Sequence, residues 1–492
     1  MTGHNDRVNT AVDRPTDVHP MDIAEFRKHA HELVDWMADY MEHVESYPVR
    51  PSVHPGEIIG RLPALPPLDG EPFENIFHDF QSIILPGMTH WQHPSFFAYF
   101  PANASPPSVL AEMLTATLGA QCMSWMTSPA ATELEERMMQ WLGAMIGLPA
   151  VFTGVIQDTA STATLCSILT AREVRSRFSV NARGYPSYTR FTAYCSREAH
   201  SSIERAIKIA GIGRENLRKI DVDSSYAMRP DALEAAIKLD IKNGFTPLAV
   251  VAALGTTGST AIDPLDAIGT ICHRHKLWLH VDAAFAGTAM LLPELRGMID
   301  GVEHADSFVF NPHKWMFTNF DCSAYFVKDR DALVKTFEIL PEYLRTTEPA
   351  SVNNYRDWGI QLGRRFRALK LWFVIRHYGV RGLQEKIRTH IRLAQEFANN
   401  VRAAGDFELS APVPLNTVCF RYKPSQGGDL AAQNLLNQRL LESLNNSGKL
   451  FLTHTKLNDR FVLRLVVGQT EVRKEHVDRA WDLIQVYARR LL

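Results

Sequence analysis

The sequence predicts an α/β protein with a largely parallel central sheet, preceded by an N-terminal arm and followed by a smaller α+β region. Two observations carry that reading. From about residue 106, short apolar runs at 191–196, 248–254, 277–281, 307–310 and 323–327 alternate with stretches of helical periodicity, the rhythm of βαβ units. Polar residues cluster just beyond several of those runs, where an open α/β sheet gathers its ligands. At 492 residues the chain exceeds one hydrophobic core, so roughly three domains or subdomains are expected.

In chain order, residues 1–20 are polar and turn-rich and lack the apolar core of a secretion signal, so a disordered tail is expected there. Residues 21–105 form the arm. Asp22 and Glu25 make a reciprocal N-cap pair, and Ile23, Phe26, Leu33, Val34, Met37, Met41 and Val44 recur at helical spacing until Ser46-Tyr47-Pro48 stops the helix. Seven prolines between 48 and 72 predict an extended strap that needs another surface to lie on, and a second subunit would supply it. Residues 106–371 form the large domain. Its first long helix starts at Ser128-Pro129, carries Leu134, Met138, Leu142, Met145 and Ile146, and ends at Gly147. Residues 372–492 form the small domain, with helices at 382–404 and 430–446 and a strand at 460–466. The proline-broken polar segment 338–354 is too long for a plain connection and reads as a lid or an insertion.

Composition narrows the function classes. A net charge of -2 gives no electrostatic footing for nucleic acid or an anionic membrane. No apolar run approaches the ~18 residues that span a bilayer. The six cysteines (Cys122, Cys166, Cys195, Cys272, Cys322 and Cys419) form no CxxC pair, and buried free thiols in a reducing cytoplasm are expected, with no metal site.

Four polar constellations carry the chemistry. The run 277–281 ends in Asp282, followed by small residues, and Asn311-Pro312-His313-Lys314 follows the run 307–310. Read singly, an aspartate there caps a turn and a lysine there marks the chain surfacing. Gly154-Val-Ile-Gln-Asp158-Thr159-Ala160-Ser161 gives way to a helix whose first N–H groups, flanked by small residues, suit a phosphate, although ordinary Ser/Thr capping would look the same. His200 stands just beyond the run 191–196. Together these are the needs of pyridoxal 5'-phosphate: a phosphate seat, a carboxylate to keep the ring nitrogen protonated, an imidazole to lie on the ring and a lysine to form an imine. Desolvation and the cationic ring would lower the Lys314 amine.

With those residues in view, the chain resembles the group II pyridoxal-phosphate decarboxylases, and most of all the aromatic-L-amino-acid decarboxylases. The resemblance rests on Thr89-His-Trp91 through Phe100-Pro101, Ser128-Pro through Glu133-Leu-Glu135, His200-Ser-Ser-Ile-Glu-Arg, Leu254-Gly-Thr-Thr257, His280-Val-Asp282-Ala-Ala, Asn311-Pro-His-Lys314-Trp and Leu362-Gly-Arg-Arg-Phe-Arg, spanning about residues 21 to 485. It implies a fold-type I (aspartate-aminotransferase-like) architecture and a homodimer. It also implies decarboxylation of aromatic L-amino acids such as tryptophan, 5-hydroxytryptophan, DOPA, tyrosine or phenylalanine.

Residue by residue, the resemblance assigns Ala160 and Ser161 to the phosphate turn, and Thr257 and Asn311 to further cofactor contacts. Asp282 goes to the ring nitrogen, His200 to the ring face and Lys314 to the covalent link. Trp91, Tyr99, Phe100 and Pro101 match the aromatic side of a substrate pocket that the family builds partly from its second subunit, and Tyr343 matches the lid tyrosine that returns a proton to the α-carbon after CO2 leaves. Departures fall at Asp158, where glycine is common, at Ala102, where a hydroxyl residue is frequent, and at Met123, often aromatic. Gly363 stands where serine goes with smaller phenolic or imidazole substrates, which tilts selectivity towards indole and catechol side chains. Relatives that produce an aldehyde, ammonia and peroxide commonly lack the lid tyrosine or the stacking histidine, and both are present here. A non-catalytic cofactor-binding homologue and an aminotransferase are the remaining alternatives.

Overall fold

A computed structural model describes residues 21–186, 188–339, 352–426 and 428–491. Seven strands make the central sheet: β1 (Thr153–Gln157), β2 (Phe191–Ser196), β3 (Leu217–Ile220), β4 (Thr246–Ala253), β5 (Trp278–Asp282), β6 (Ser307–Phe310) and β7 (Ser323–Val327). Their order is β1-β7-β6-β5-β4-β2-β3. β2 through β6 run parallel, while β7 lies antiparallel between β1 and β6. Expected and observed bounds coincide at β2, β6 and β7. β4 starts two residues earlier than the apolar run because Thr246 and Pro247 still pair with Phe191 and Thr192, ahead of a register shift that lets the proline stay in the sheet.

The strands are apolar on both faces because both faces are covered. Val309 and Tyr325 enter one core, whereas Phe308, Phe310, Ala324 and Phe326 enter the opposite one. The first core holds the helix Ala160–Arg175, the second the helix Pro129–Ile146 with Met138, Met139 and Leu142. The second helix follows its expected punctuation, with Pro129 at its start and Gly147 in the left-handed conformation at its end. In-register pairing sets Ala253, Asp282 and Val309 side by side, so the carboxyl ends of β4, β5 and β6 open at one level.

The C-terminal region is richer in strands than its sequence suggests. β8 (Phe407–Leu409), β9 (Thr417–Tyr422), β10 (Thr453–Leu457) and β11 (Arg460–Val466) form an antiparallel sheet in the order β10-β11-β9-β8. The helices Leu430–Asn446 and Lys474–Arg489 accompany it. The helix Arg367–Ala403 is broken at Gly379 (φ 64°, ψ 168°), so its second half begins close to the expected position.

The chain divides into two compact units, one up to His90 and one from Trp91 onward. In the first, the side chain of Asp22 accepts from the Glu25 N–H and starts the helix Ile23–His43, as its sequence predicts. The proline-rich strap is not wholly extended: it contains the short helix Glu57–Arg61, and the helix Phe73–Asp79 follows it. This unit buries few apolar side chains and leaves Ile23, Phe26, Ile59, Leu65, Leu68 and Ile76 exposed. Residues 1–20 and the lid candidate Tyr343 lie outside the described residues.

Candidate active site

The strand ends converge on a cavity of about 300 Å³, bordered by Tyr99, Phe100, Thr159, Ala160, Ser161, His200, Thr257, Asp282, Asn311 and Lys314 among others. That volume suits a small molecule or cofactor. Each wall has a local cause. Asp282 is the last residue of β5, only 9% exposed, and accepts from the Ala284 N–H at 3.1 Å. After β6 the chain does not simply surface. It enters one helical turn, Pro312–Trp315, which presents Lys314 to the cavity. Asn103 pins that turn by donating to the Lys314 carbonyl at 2.5 Å and the Gly468 carbonyl at 2.7 Å.

Electrostatics follow from this enclosure. Burial lowers the Lys314 amine below the usual lysine range, and the Asp282 carboxylate opposes that in part. A larger fraction of neutral amine is therefore present near neutral pH. His200 is also lowered, by burial first, with Asp282 pulling the other way. The Ser202 N–H donates to His200 Nδ1 at 3.2 Å, which makes Nδ1 the acceptor and leaves the proton of the neutral ring on Nε2. His313 is held neutral in the same manner. Cys322 N–H donates to its Nδ1 at 2.9 Å, and burial pushes it down to about 3.

The candidate anion seat is the start of the helix Ala160–Arg175. Thr159 caps it by accepting from the Thr162 N–H at 3.3 Å, and the first helical N–H groups have no intrahelical acceptor. The aromatic side is a stack. Phe100 lies 3.9 Å from Phe285 with planes 6° apart, and Phe285 lies 4.9 Å from Trp315 at 11°. Tyr99 sits in the left-handed region at φ 53°, with Trp91 stacked on it at 5.8 Å.

One functional candidate escaped the sequence reading. Arg464, in the middle of β11, is 3% exposed and borders the cavity. Its Nε donates to the Gly258 carbonyl at 2.9 Å and its Nη1 to Thr453 Oγ1 at 3.0 Å, while Nη2 has no partner among the described residues. An arginine inside the apolar run Phe461-Val-Leu-Arg464-Leu-Val was the available signal. Five predicted residues are not among those bordering the cavity. Trp91 packs behind Tyr99, and Pro101 lies against Gly468. The Ala102 carbonyl accepts from Gln92 Nε2. Met123 is half-buried with its carbonyl on the Arg356 N–H, and Gly363 is exposed beside Gln121.

The residues present fit pyridoxal phosphate: an enclosed amine of lowered pKa, a carboxylate facing it, a neutral imidazole and a helix start free to hold an anion. Comparison with known proteins decides the family, since the chain matches the pyridoxal-dependent decarboxylase conserved domain over residues 55–423. The chain belongs to that family. It is 46% identical to the aromatic-L-amino-acid decarboxylase of Bos taurus, over 96% of this chain and 98% of the relative. It is 44% identical to the phenylacetaldehyde synthase of Arabidopsis thaliana, over 96% and 98%. Among solved structures, Oryza sativa TDC with PLP and tryptamine superimposes with a TM-score of 0.93 at 36% identity, covering 96% of this chain and 99% of that one. Like its family, this decarboxylase is a pyridoxal-phosphate enzyme. No helix among the described residues is long and apolar enough to cross a membrane, and all six cysteines are free and buried.

Proposed function

We propose that the protein decarboxylates aromatic L-amino acids to the corresponding amines and CO2. The observation that carries the reading is the partly shielded Lys314 amine set opposite Asp282 in a cavity with an aromatic wall of Phe100 and Tyr99. The bound cofactor supplies an electron sink for the pair left behind when CO2 departs. Lys314 would hold it covalently, Asp282 would keep its ring nitrogen protonated, Ala160 and Ser161 would seat its phosphate with help from Thr257 and Asn311, and His200 would cover its face. Arg464 brings a free N–H and a fixed positive charge to the substrate side, suited to orienting an α-carboxylate. Phe100 and Tyr99 exclude water and accept a flat side chain. Tyr343 would deliver the proton to the α-carbon, a role carried by the family resemblance.

The reading includes a homodimer in the cytoplasm. The first unit exposes Ile23, Phe26, Leu65 and Leu68, an apolar surface a second copy would cover. Met123 and Gly363, which stand apart from this chain's own cavity, would then serve the pocket of the partner subunit.

The test is a panel of tryptophan, 5-hydroxytryptophan, DOPA, tyrosine and phenylalanine, with CO2, amine, aldehyde and peroxide all measured. Amine equal to CO2 is the expected result. Aldehyde and peroxide matching CO2 would replace this reading with that of an aldehyde synthase. Tyr343→Phe should shift flux from amine to aldehyde, and an unchanged amine yield would remove Tyr343 as proton donor.

A further inference from the structure

The segment 358–364, which carries Gly363, is tied to the end of β1 at three successive residues. Arg364 Nη2 donates to the Ile156 carbonyl at 2.7 Å, and Gln157 Nε2 donates to the Trp358 carbonyl at 3.0 Å. Gln361 Nε2 donates to Asp158 Oδ2 at 2.7 Å. The first two bonds end on the strand and its side chain. The third goes further, because the other oxygen of the same carboxylate, Oδ1, accepts from the Thr159 N–H at 2.6 Å and faces the Thr159 hydroxyl at 3.3 Å. Thr159 in turn caps the helix that forms the anion seat. A continuous path of polar contacts therefore runs from Gln361 through Asp158 to the phosphate turn. The path depends on a carboxylate at 158, where the resembled family commonly has glycine, a residue that could make neither bond. Asp158 itself does not border the cavity, so it acts through its neighbours.

We propose that Asp158 and Gln361 are positioning residues that couple the phosphate seat to the Gly363 segment, so that filling the seat with the cofactor orders the segment that the dimer reading assigns to the partner subunit's pocket. The coupling rests on the reading of Thr159-Ala160-Ser161 as the phosphate seat. Ordering of the seat fixes Thr159, Thr159 fixes the carboxylate, and the carboxylate holds Gln361, two residues from Gly363. A bond of this kind to a charged acceptor transmits order because breaking it leaves Gln361 and the carboxylate without their partner.

Backbone hydrogen exchange of the full-length protein, with the cofactor removed and then restored, reads the coupling directly. In the wild-type chain, adding pyridoxal 5'-phosphate should slow exchange across residues 358–364. The Asp158→Asn variant keeps the acceptor for Thr159 and can pair with a turned Gln361 amide, so it should retain that protection. Asp158→Ala and Gln361→Ala should lose it. Substrate kinetics should show the same division: in the two alanine variants the loss falls on KM rather than kcat, by about fivefold. Protection of 358–364 that persists in Asp158→Ala and Gln361→Ala overturns the inference. Gln361 lies in a loop and is only half-buried, so Gln361→Ala carries the test alone if Asp158→Ala does not fold. Ser161→Asp separates the two readings, because a carboxylate in the first turn repels the phosphate that the backbone N–H groups would hold. Unchanged cofactor affinity in that variant removes the seat and the coupling together, whereas weakened affinity with undiminished protection in Asp158→Ala and Gln361→Ala removes the coupling only.

Discussion

Arg464 repeats, at residue scale, the problem posed by Lys314: a cation enclosed by protein, lowered by burial, with too few partners to account for its position. Two of its nitrogens are satisfied by Gly258 and Thr453, and its guanidinium carbon lies 5.3 Å from the centre of the Phe100 ring, the ring that Lys314 Nζ approaches at 5.5 Å on its own account. The free Nη2 is left for a ligand anion, and the α-carboxylate of the substrate is the anion not already served by the helix start. Arg464→Gln should therefore lower kcat/KM for the amino acid by about 10- to 100-fold, the worth of one charge-assisted hydrogen bond. Inhibition by the product amine, which has no carboxylate, should hardly change, and an equal loss for both ligands would refute the assignment. Lys314, Asp282, His200 and the turn at Ser161 stood out in the sequence because they gather at the ends of apolar runs and together meet the needs of one cofactor, while Ala160, Thr257 and Asn311 came from the family resemblance. Arg464 did not stand out, because it sits mid-strand in the other sheet and reaches the cavity only through tertiary packing.

The same contrast holds for elements. β2, β6 and β7 could be bounded from sequence since they are buried on both faces and read as unbroken apolar runs. β3 could not, because Arg218 and Lys219 occupy its centre on an edge strand, and no local pattern tells that β7 runs antiparallel. The loop after β4 shows how an element places a site. Gly255 has φ +86°, its N–H donates to the Ala261 carbonyl at 3.0 Å, and a Cβ there would lie 2.6 Å from the Ala286 Cβ. That close approach sets Thr256 and Thr257 at the cavity edge. Gly255→Ala combines a left-handed backbone with a clash, so it should destabilise the cofactor-free protein by about 1–3 kcal/mol in urea unfolding. It should also weaken cofactor binding, since the threonines must shift. A variant with wild-type unfolding midpoint and wild-type affinity would show that the loop has slack.

For the whole molecule, the decisive fact is how many ionisable groups the cores keep neutral. Burial holds His313 and His390 down to about 3 and His280 to about 4. Two of these also accept at Nδ1, His313 from the Cys322 N–H and His390 from Trp315 Nε1 at 2.9 Å, so protonation would set one donor against another. In the unfolded chain each histidine titrates near 6.5. As pH falls below that value, the unfolded state takes up protons that the native state refuses, and stability is lost until the native values are reached. Asp263 works in the opposite sense: burial raises it to about 6 despite its bonds from the Ala253 and Met228 N–H groups, so the native state binds that proton first and gains stability between about 6 and 4. Burial also lowers His90, His200 and His454 and raises Glu198, Asp306 and Asp357, so the lowered histidines outnumber the raised carboxyls and the unfolded side holds the excess of protons as pH falls below about 6. Urea midpoints of the cofactor-free protein should therefore fall steeply from pH 6 to 5, well before most carboxylates titrate. Replacing His390 by Gln, which offers an acceptor and does not ionise in this range, should flatten the slope by about one proton. A midpoint that holds steady down to pH 5 would mean that the buried imidazoles take up their protons in the native state after all.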